Sequence, residues 1–433
     1  MDTQPFLEIP GITPYNPAPF NQEVDIMNLS VRCRLFIPLF LFLTIGTAPH
    51  TFAADWPNWR GPDYNGISLE TNWFKTGSTL ETVWEAAVGQ GYSSVAVVGE
   101  KLYTAGNKNN QDIVQCLNAR SGTEVWKFSY PCSAGSYPGP RATPAVSDNR
   151  VYLISREGRV ICLKADSGAE IWSRSVAHEL KADLPGWGFA GSPRIQGNLL
   201  LLNVGEKGLA LDKVTGATIW SSGTGKSGYS TPVVSEVGGR SIVALFSAQN
   251  VVGVDLKTGA SHWQFPWKTS YDVNAADPLI EGGRMLISSG YGVGATLLKI
   301  DGEKPVVIWN NKALRSHFGT PVLWKGFVYG FDGNAGGGTL KCIDWATGTV
   351  KWEYAGFGFG SLTMADGKLI IQSERGELAI ALASPDGYQE LAKRAILKGT
   401  CWTVPILANG LIYCRNDAGR LLAISVSATP ATP

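Results

Sequence analysis

Charge is scarce in this chain: Asp, Glu, Lys and Arg make up 17% of it, where roughly a quarter is usual, and the signs nearly cancel to +1. That balance supplies no steering toward nucleic acid or an anionic membrane surface. Histidine is rarer still: His50, His178, His262 and His317 are the four present, and they stand at no spacing used by metal sites. There is no CxxCH haem motif, and no GxSxG or phosphate loop in a usable context. The stretch DGNAGGG from Asp332 lacks the later bidentate Glu of a calcium loop and reads as a hairpin tip. The apolar run Leu35 to Ile45 has eleven residues, one of them Pro38, too few to cross a bilayer.

Glycine and tryptophan are plentiful, at 51 and 15 residues, and they recur in step. Trp84, Trp126, Trp172, Trp220, Trp263, Trp309 and Trp352 follow one another at intervals of 39 to 48 residues, and Leu391 continues the series. Most are preceded by one recurring segment. CLNARSGTEVW ends at Trp126, CLKADSGAEIW at Trp172, ALDKVTGATIW at Trp220, VDLKTGASHW at Trp263 and CIDWATGTVKW at Trp352, while the copies ending at Trp309 and Leu391 are degenerate. A repeat of this length means a solenoid, a propeller or an array. Within a copy the residues alternate as strands do: between Ala142 and Trp172, TPAV, VYLIS, VICLKA and AEIW are separated by turns rich in Gly, Asn and Asp. Four-stranded units in series are propeller blades.

Seven complete units lie between Trp84 and Leu391, and three further strands follow, at Trp402 to Leu407, Leu411 to Arg415 and Arg420 to Ser425. The missing fourth strand is available at the other end, in Glu81 to Ala86. The count therefore predicts an all-β fold: an eight-bladed propeller of four-stranded antiparallel blades, the last closed by the N-terminal strand, which leaves no long open edge. Each tryptophan is expected to wedge against the neighbouring blade.

Arg32 and Arg34 precede the run Leu35 to Ile45, and Thr51-Phe52-Ala53 precedes Ala54. The pattern predicts a secretory signal over 27–53, with Met27 as the true start after a leader over 1–26. A strap over 54–81, the propeller over 82–426 and a tail over 427–433 complete the organisation. The mature protein is expected in the periplasm or secreted, as a monomer without a transmembrane segment. Export permits disulfides, yet Cys116, Cys162 and Cys342 occupy one slot of the same strand in different blades and read as small core residues. Cys132, Cys401 and Cys414 stay open.

The chain should cross one face of the ring each time it passes from the outermost strand of one blade to the innermost strand of the next. Hairpins between second and third strands should reach the same face. The crossings carry Tyr92, Arg141, Trp187, Tyr229, Asp272 with Asn274, His317 and Trp402; the hairpins add Glu374, Arg375 and Arg415. Groups scattered in sequence would meet there around the channel, which makes them the candidate ligand- or partner-binding residues. No catalytic residue and no metal ligand is assigned.

Through its TGxxxW-type turns, the SP and TP openings of its inner strands and its period, the chain resembles the pyrroloquinoline quinone (PQQ)-like β-propeller repeat family from Thr82 to Ser425. The stretch DWPNWRGPDYNGIS at Asp55 to Ser68 is similar to the segment before the ring in exported bacterial members, and is expected to lie on the propeller as a strap anchored by Trp56 and Trp59. The resemblance implies two kinds of activity. Quinone-dependent dehydrogenases of the superfamily hold PQQ over a tryptophan and coordinate Ca²⁺ through carboxylate and amide oxygens; Trp187 or Trp402, and Asp272, Asn274 and Asp277, are of the right type. Other members have no catalytic role and serve in envelope protein assembly. No two cysteines are adjacent, so the vicinal disulfide of many alcohol-oxidising members cannot form. The expectation is an exported, non-catalytic binding or scaffold propeller without a cofactor, presenting its channel face to a small ligand or to an envelope or secreted protein. A PQQ-dependent oxidoreductase with Ca²⁺ and an envelope protein-assembly factor are the alternatives.

Overall fold

A computed structural model describes residues 54–221 and 224–428. The leader, the signal and all but the start of the tail lie outside the described residues. Eight antiparallel sheets follow in chain order: residues 96–131, 145–175, 194–221, 233–266, 279–311, 322–354, 360–395, and 406–428 joined by 78–87. These are blades one to eight. The closing strand, Ser78–Ala87, pairs with Arg420–Ala428 so that Trp84 stands opposite Ala423 and Glu85 opposite Leu422. The innermost strand of the eighth blade begins at Ile406, later than the expected Trp402, because the preceding residues form the loop that reaches the channel. Among the described residues the helical pieces are one short helix, Val176–Leu180, and a 3-10 turn, Ser270–Asp272. No described helix is long and apolar enough to cross a membrane.

The recurring segment is explained by two interfaces that it serves at once. An Asp or Asn opens the turn and folds its side chain back onto it: Asp212 Oδ1 accepts from the amides of Val214 (3.0 Å) and Thr215 (2.8 Å), and Asp255 Oδ1 does the same for Lys257 and Thr258. Such side-chain turns are what Asx residues favour. The glycine that follows is left-handed, φ +73° at Gly168 and +70° at Gly259, and lies flat under the indole of the preceding blade. The tryptophan at the end of the segment then reaches forward. Indole Nε1 of Trp84 donates to Ala119 O (2.9 Å), that of Trp126 to Ala165 O (3.1 Å), that of Trp220 to Leu256 O (3.0 Å) and that of Trp352 to Ser384 O (2.8 Å), each in the next blade. A bulge just before the marker turns the preceding residue outward, leaving Val83, Val125, Ile171 and Ile219 exposed.

Cys116, Cys162 and Cys342 pair directly with Trp126, Trp172 and Trp352, and on the other side with Tyr103, Tyr152 and Tyr329. All three are fully buried free thiols, and burial raises each to about 11. They fill the blade interior as small apolar groups.

The strap does more than lie on the ring. Trp56 bridges Val97 in the first blade, Pro57 O accepts from Val146 N in the second, and Tyr64 Oη accepts from Ile195 N in the third (3.2 Å). Arg60 donates to the carbonyls of Thr320 and Pro321 at the start of the sixth blade (3.4 and 3.0 Å), and Ile67–Ser68 adds a parallel strand to the innermost strand of the seventh. The segment from Trp56 to Ser68 thus spans the channel from wall to wall, on the face opposite the crossings.

Candidate functional site

The crossings converge on a cavity of about 760 Å³ at the channel mouth, well within the range of small-molecule sites. Trp59 and Asp277 lie at its floor. Trp59 Nε1 donates to Asp277 Oδ2 (2.6 Å), and Asp277 Oδ1 accepts from Thr231 N (2.7 Å). Burial pushes the Asp277 carboxyl up, against the pull of nearby Arg60 and of the Trp59 indole; burial likewise lowers Arg60 to about 10. The strap therefore turns an open channel into a blind cavity.

The walls and rim carry a collar of aromatic rings in successive contact. Tyr229 meets Trp187 (centroids 5.9 Å apart), Trp187 meets Tyr271 (6.3 Å), Tyr271 meets Tyr291 (5.7 Å) and Tyr291 meets His317 (5.1 Å). His317 then contacts Phe318 (4.6 Å), Phe318 contacts Trp402 (5.2 Å), and Trp402 stacks on Tyr92 (5.6 Å, 24° between planes) with Tyr137 beside it. Arg141 lies beyond Tyr92, its guanidinium 5.6 Å from the Tyr92 centroid. Burial holds the His317 imidazole down at about 4, and its Nδ1 accepts from Ala335 N (3.3 Å). The ring is neutral at physiological pH and presents Nε2–H to the cavity.

Of the eleven candidate residues, Tyr92, Arg141, Trp187, Tyr229, His317, Glu374, Arg375 and Trp402 line this cavity, and Asp272, Asn274 and Arg415 do not. Asn274 is fully buried and its amide nitrogen donates to the carbonyls of Ser247, Ala248 and Trp267, so it staples a loop. Asp272 stands at the rim, paired with Lys226 (3.2 Å). Arg415 ends a strand, and its side chain turns into the seam between the eighth and first blades, where 1% of it is exposed. It donates to Ser93 O (2.7 Å), Thr104 Oγ1 (3.0 Å), Ala105 O (2.9 Å) and Gly89 O (3.0 Å). Tyr291 and Phe318 were absent from the candidates, although the rule about crossings and hairpins covers both. Trp59 could not be reached that way, since only the path of the strap brings it into the channel.

The cavity does not suit PQQ with Ca²⁺. Its bordering carboxylates are already committed: both Asp277 oxygens accept hydrogen bonds, and Glu374 Oε2 accepts from Gly336 N (2.8 Å). The Asn274 carbonyl accepts from Ser289 Oγ (3.2 Å). Among the described residues no three His, Cys, Asp or Glu side chains cluster as metal ligands do. A hard cation needs six or more converging oxygens, and the cavity lining offers two carboxylates, Asp277 and Glu374, each already hydrogen-bonded.

One wall is braced by an ion cluster. Asp332, buried, accepts from Arg315 Nε (2.8 Å), Arg315 Nη2 (2.6 Å) and the Arg315 amide (2.7 Å), and pairs with Lys341 (3.0 Å). Burial alone would raise its carboxyl, but these bonds outweigh it and the pKa is lowered. A depressed folded-state value stabilises the fold above the ordinary Asp range, near pH 4. That contribution is lost as pH falls through the lowered value. Asp332→Asn is therefore expected to cost about 2 kcal/mol at neutral pH and to flatten the acid limb of stability below about pH 4, as read from urea midpoints across a pH series.

Comparison with known proteins fits the architecture. A model of the family described as outer membrane protein assembly factor BamB matches residues 109–354. The chain is 25% identical over 332 residues to the outer membrane protein assembly factor BamB of Escherichia coli (strain K12), covering 71% of this chain and 80% of that one. It is 23% identical over 305 residues to the BamB of Moranella endobia (strain PCIT), covering 65% and 74%. Among solved structures, BamB from Moraxella catarrhalis superposes with a TM-score of 0.62 at 16% identity, over 80% of this chain and 100% of that one. The quinohemoprotein alcohol dehydrogenase of Comamonas testosteroni gives 0.67 at 14%, over 87% and 81%. At these identities the structural likeness speaks for the fold and leaves activity to the site.

Proposed function

This chain belongs to the PQQ-like β-propeller family described as outer membrane protein assembly factor BamB, and we propose that it works outside the cytoplasm as a non-catalytic assembly factor, docking an envelope protein on the collar face. The observation that carries this reading is the family match, which runs through the blades that build most of the collar. The rim of the cavity supports it. Tyr271 is 73% exposed and Tyr137 53% exposed, Arg375 lines the same cavity, and large exposed aromatics and arginine are what protein interfaces favour. The committed carboxylates of the cavity argue against the quinone-dependent alternative.

A photo-crosslinking residue placed at Tyr271 tests the docking. Adducts with components of outer-membrane protein assembly are expected, and they should disappear in a Tyr137→Ala/Arg375→Glu variant that melts like the wild type. Adducts that survive that variant, or that form equally from a probe on the strap face, would overturn the collar as the docking surface.

A further inference from the structure

The cavity inside the collar holds features that docking at the rim does not use. Arg141 is half-buried in the cavity wall, and its guanidinium donates only to backbone carbonyls, those of Ser136, Tyr137 and Gly139 at 3.1 to 3.4 Å. No described carboxylate pairs with it. The neighbouring charge is instead a second guanidinium, Arg156, which together with burial brings Arg141 down to about 10. Arg141 is still a cation at neutral pH, and a partly buried cation beside a second cation favours an anion. The Nε1 of Trp402 is likewise buried with no acceptor.

A third observation is independent of charge. Tyr137, Tyr271 and Tyr291 all have left-handed backbones, with φ of 55°, 61° and 53°. Bulky side chains rarely adopt that conformation, and such strain concentrates where a site needs it. Here its effect is to hold three phenol rings around one opening.

We propose that this cavity binds an acidic saccharide, a short chain of sugar rings carrying a carboxylate. The apolar face of a pyranose stacks on aromatic rings such as Trp402, and its hydroxyls match the phenols and the His317 Nε2–H. The carboxylate supplies the anion that Arg141 lacks, in a charge-assisted bond that Arg forms readily. A purely apolar ligand or a neutral sugar would leave Arg141 without a counter-charge. The volume of about 760 Å³ has room for a short oligosaccharide.

The inference goes beyond partner docking, and its test needs no partner. Purified full-length protein is titrated with trigalacturonate and with its uncharged methyl ester, followed by calorimetry and by tryptophan fluorescence. The acid is expected to bind about tenfold or more tightly than the ester. Arg141→Gln should abolish that preference, Arg141→Lys should keep part of it, and Trp402→Leu should weaken both ligands. No binding of the acid at millimolar concentration, equal binding of acid and ester, or an unchanged preference in a folded Arg141→Gln protein would each overturn the proposal. So would tighter binding of an acidic, tyrosine-containing peptide than of the saccharide. Crosslinking at Tyr271 reads the rim alone, so either idea can fail while the other stands.

Discussion

Replacing Arg415 with methionine is expected to destabilise the ring by about 3 kcal/mol, seen as a large fall in the denaturant midpoint. The guanidinium sits in the seam between the first and last blades and holds three backbone carbonyls and the Thr104 hydroxyl at once. The contacts to Ser93 O and Ala105 O are buried, so truncation removes a donor from carbonyls that solvent does not readily reach. Burial lowers the group to about 10, against the favourable charge of Asp417, so it is cationic under ordinary conditions. Lysine is not an adequate substitute, since one ammonium cannot replace a planar fork that donates on two sides; Arg415→Lys should recover less than half of the loss. The seam matters more than any other, because it is where the ring is closed by strands far apart in sequence. Its other ties, Val88 N to Gly419 O (2.8 Å) and Gly91 N to Asp417 O (2.9 Å), depend on the same loops staying in place. A loss below about 1 kcal/mol, typical of an ordinary exposed substitution, would show that the arginine is dispensable.

The position of Arg415 also marks where reading the sequence stops being enough. The blade count and the closing strand were legible because they depend on period and alternation, which the chain repeats many times. The cavity was legible to the extent that topology decides which loops converge: eight crossings and a few hairpins can be placed on one face without coordinates. Whether a given side chain then points into the channel or back into a blade depends on twist and on unpaired backbone groups nearby. Arg415 ends its strand facing the seam, and Asn274 is drawn inward by three carbonyls, though in sequence both look like polar loop residues. Trp59 is the reverse case. Its neighbourhood reads as a packing strap, and nothing local announces that the strap bridges the channel and gives the cavity its floor.

The contact between glycine turns and indoles makes a second large effect measurable, and separable into parts. Trp126→Ala should cost about 3–5 kcal/mol, the usual range for removing a buried large aromatic, because the side chain fills the joint between the first two blades and donates to Ala165 O. Gly168→Ala attacks the same joint from the other side. A methyl at Gly168 would stand 2.5 Å from the Trp126 ring, and the backbone there has φ +73°. The backbone alone penalises alanine by about 1–2 kcal/mol, and displacing the indole should add about as much as an overpacked core does, 1–3 kcal/mol. Gly197→Ala isolates the first part, since φ is +58° there and nothing lies within 4 Å of the added methyl. In the Trp126→Ala/Gly168→Ala double variant the clash has no target, so the glycine substitution should cost no more than at Gly197. The resulting coupling, about 1 kcal/mol or more, would identify the repeated glycine as the seat of the preceding blade's tryptophan. Additive losses would mean that the turn needs glycine for its backbone alone, and that the interval between markers reflects turn chemistry without the blade-to-blade contact.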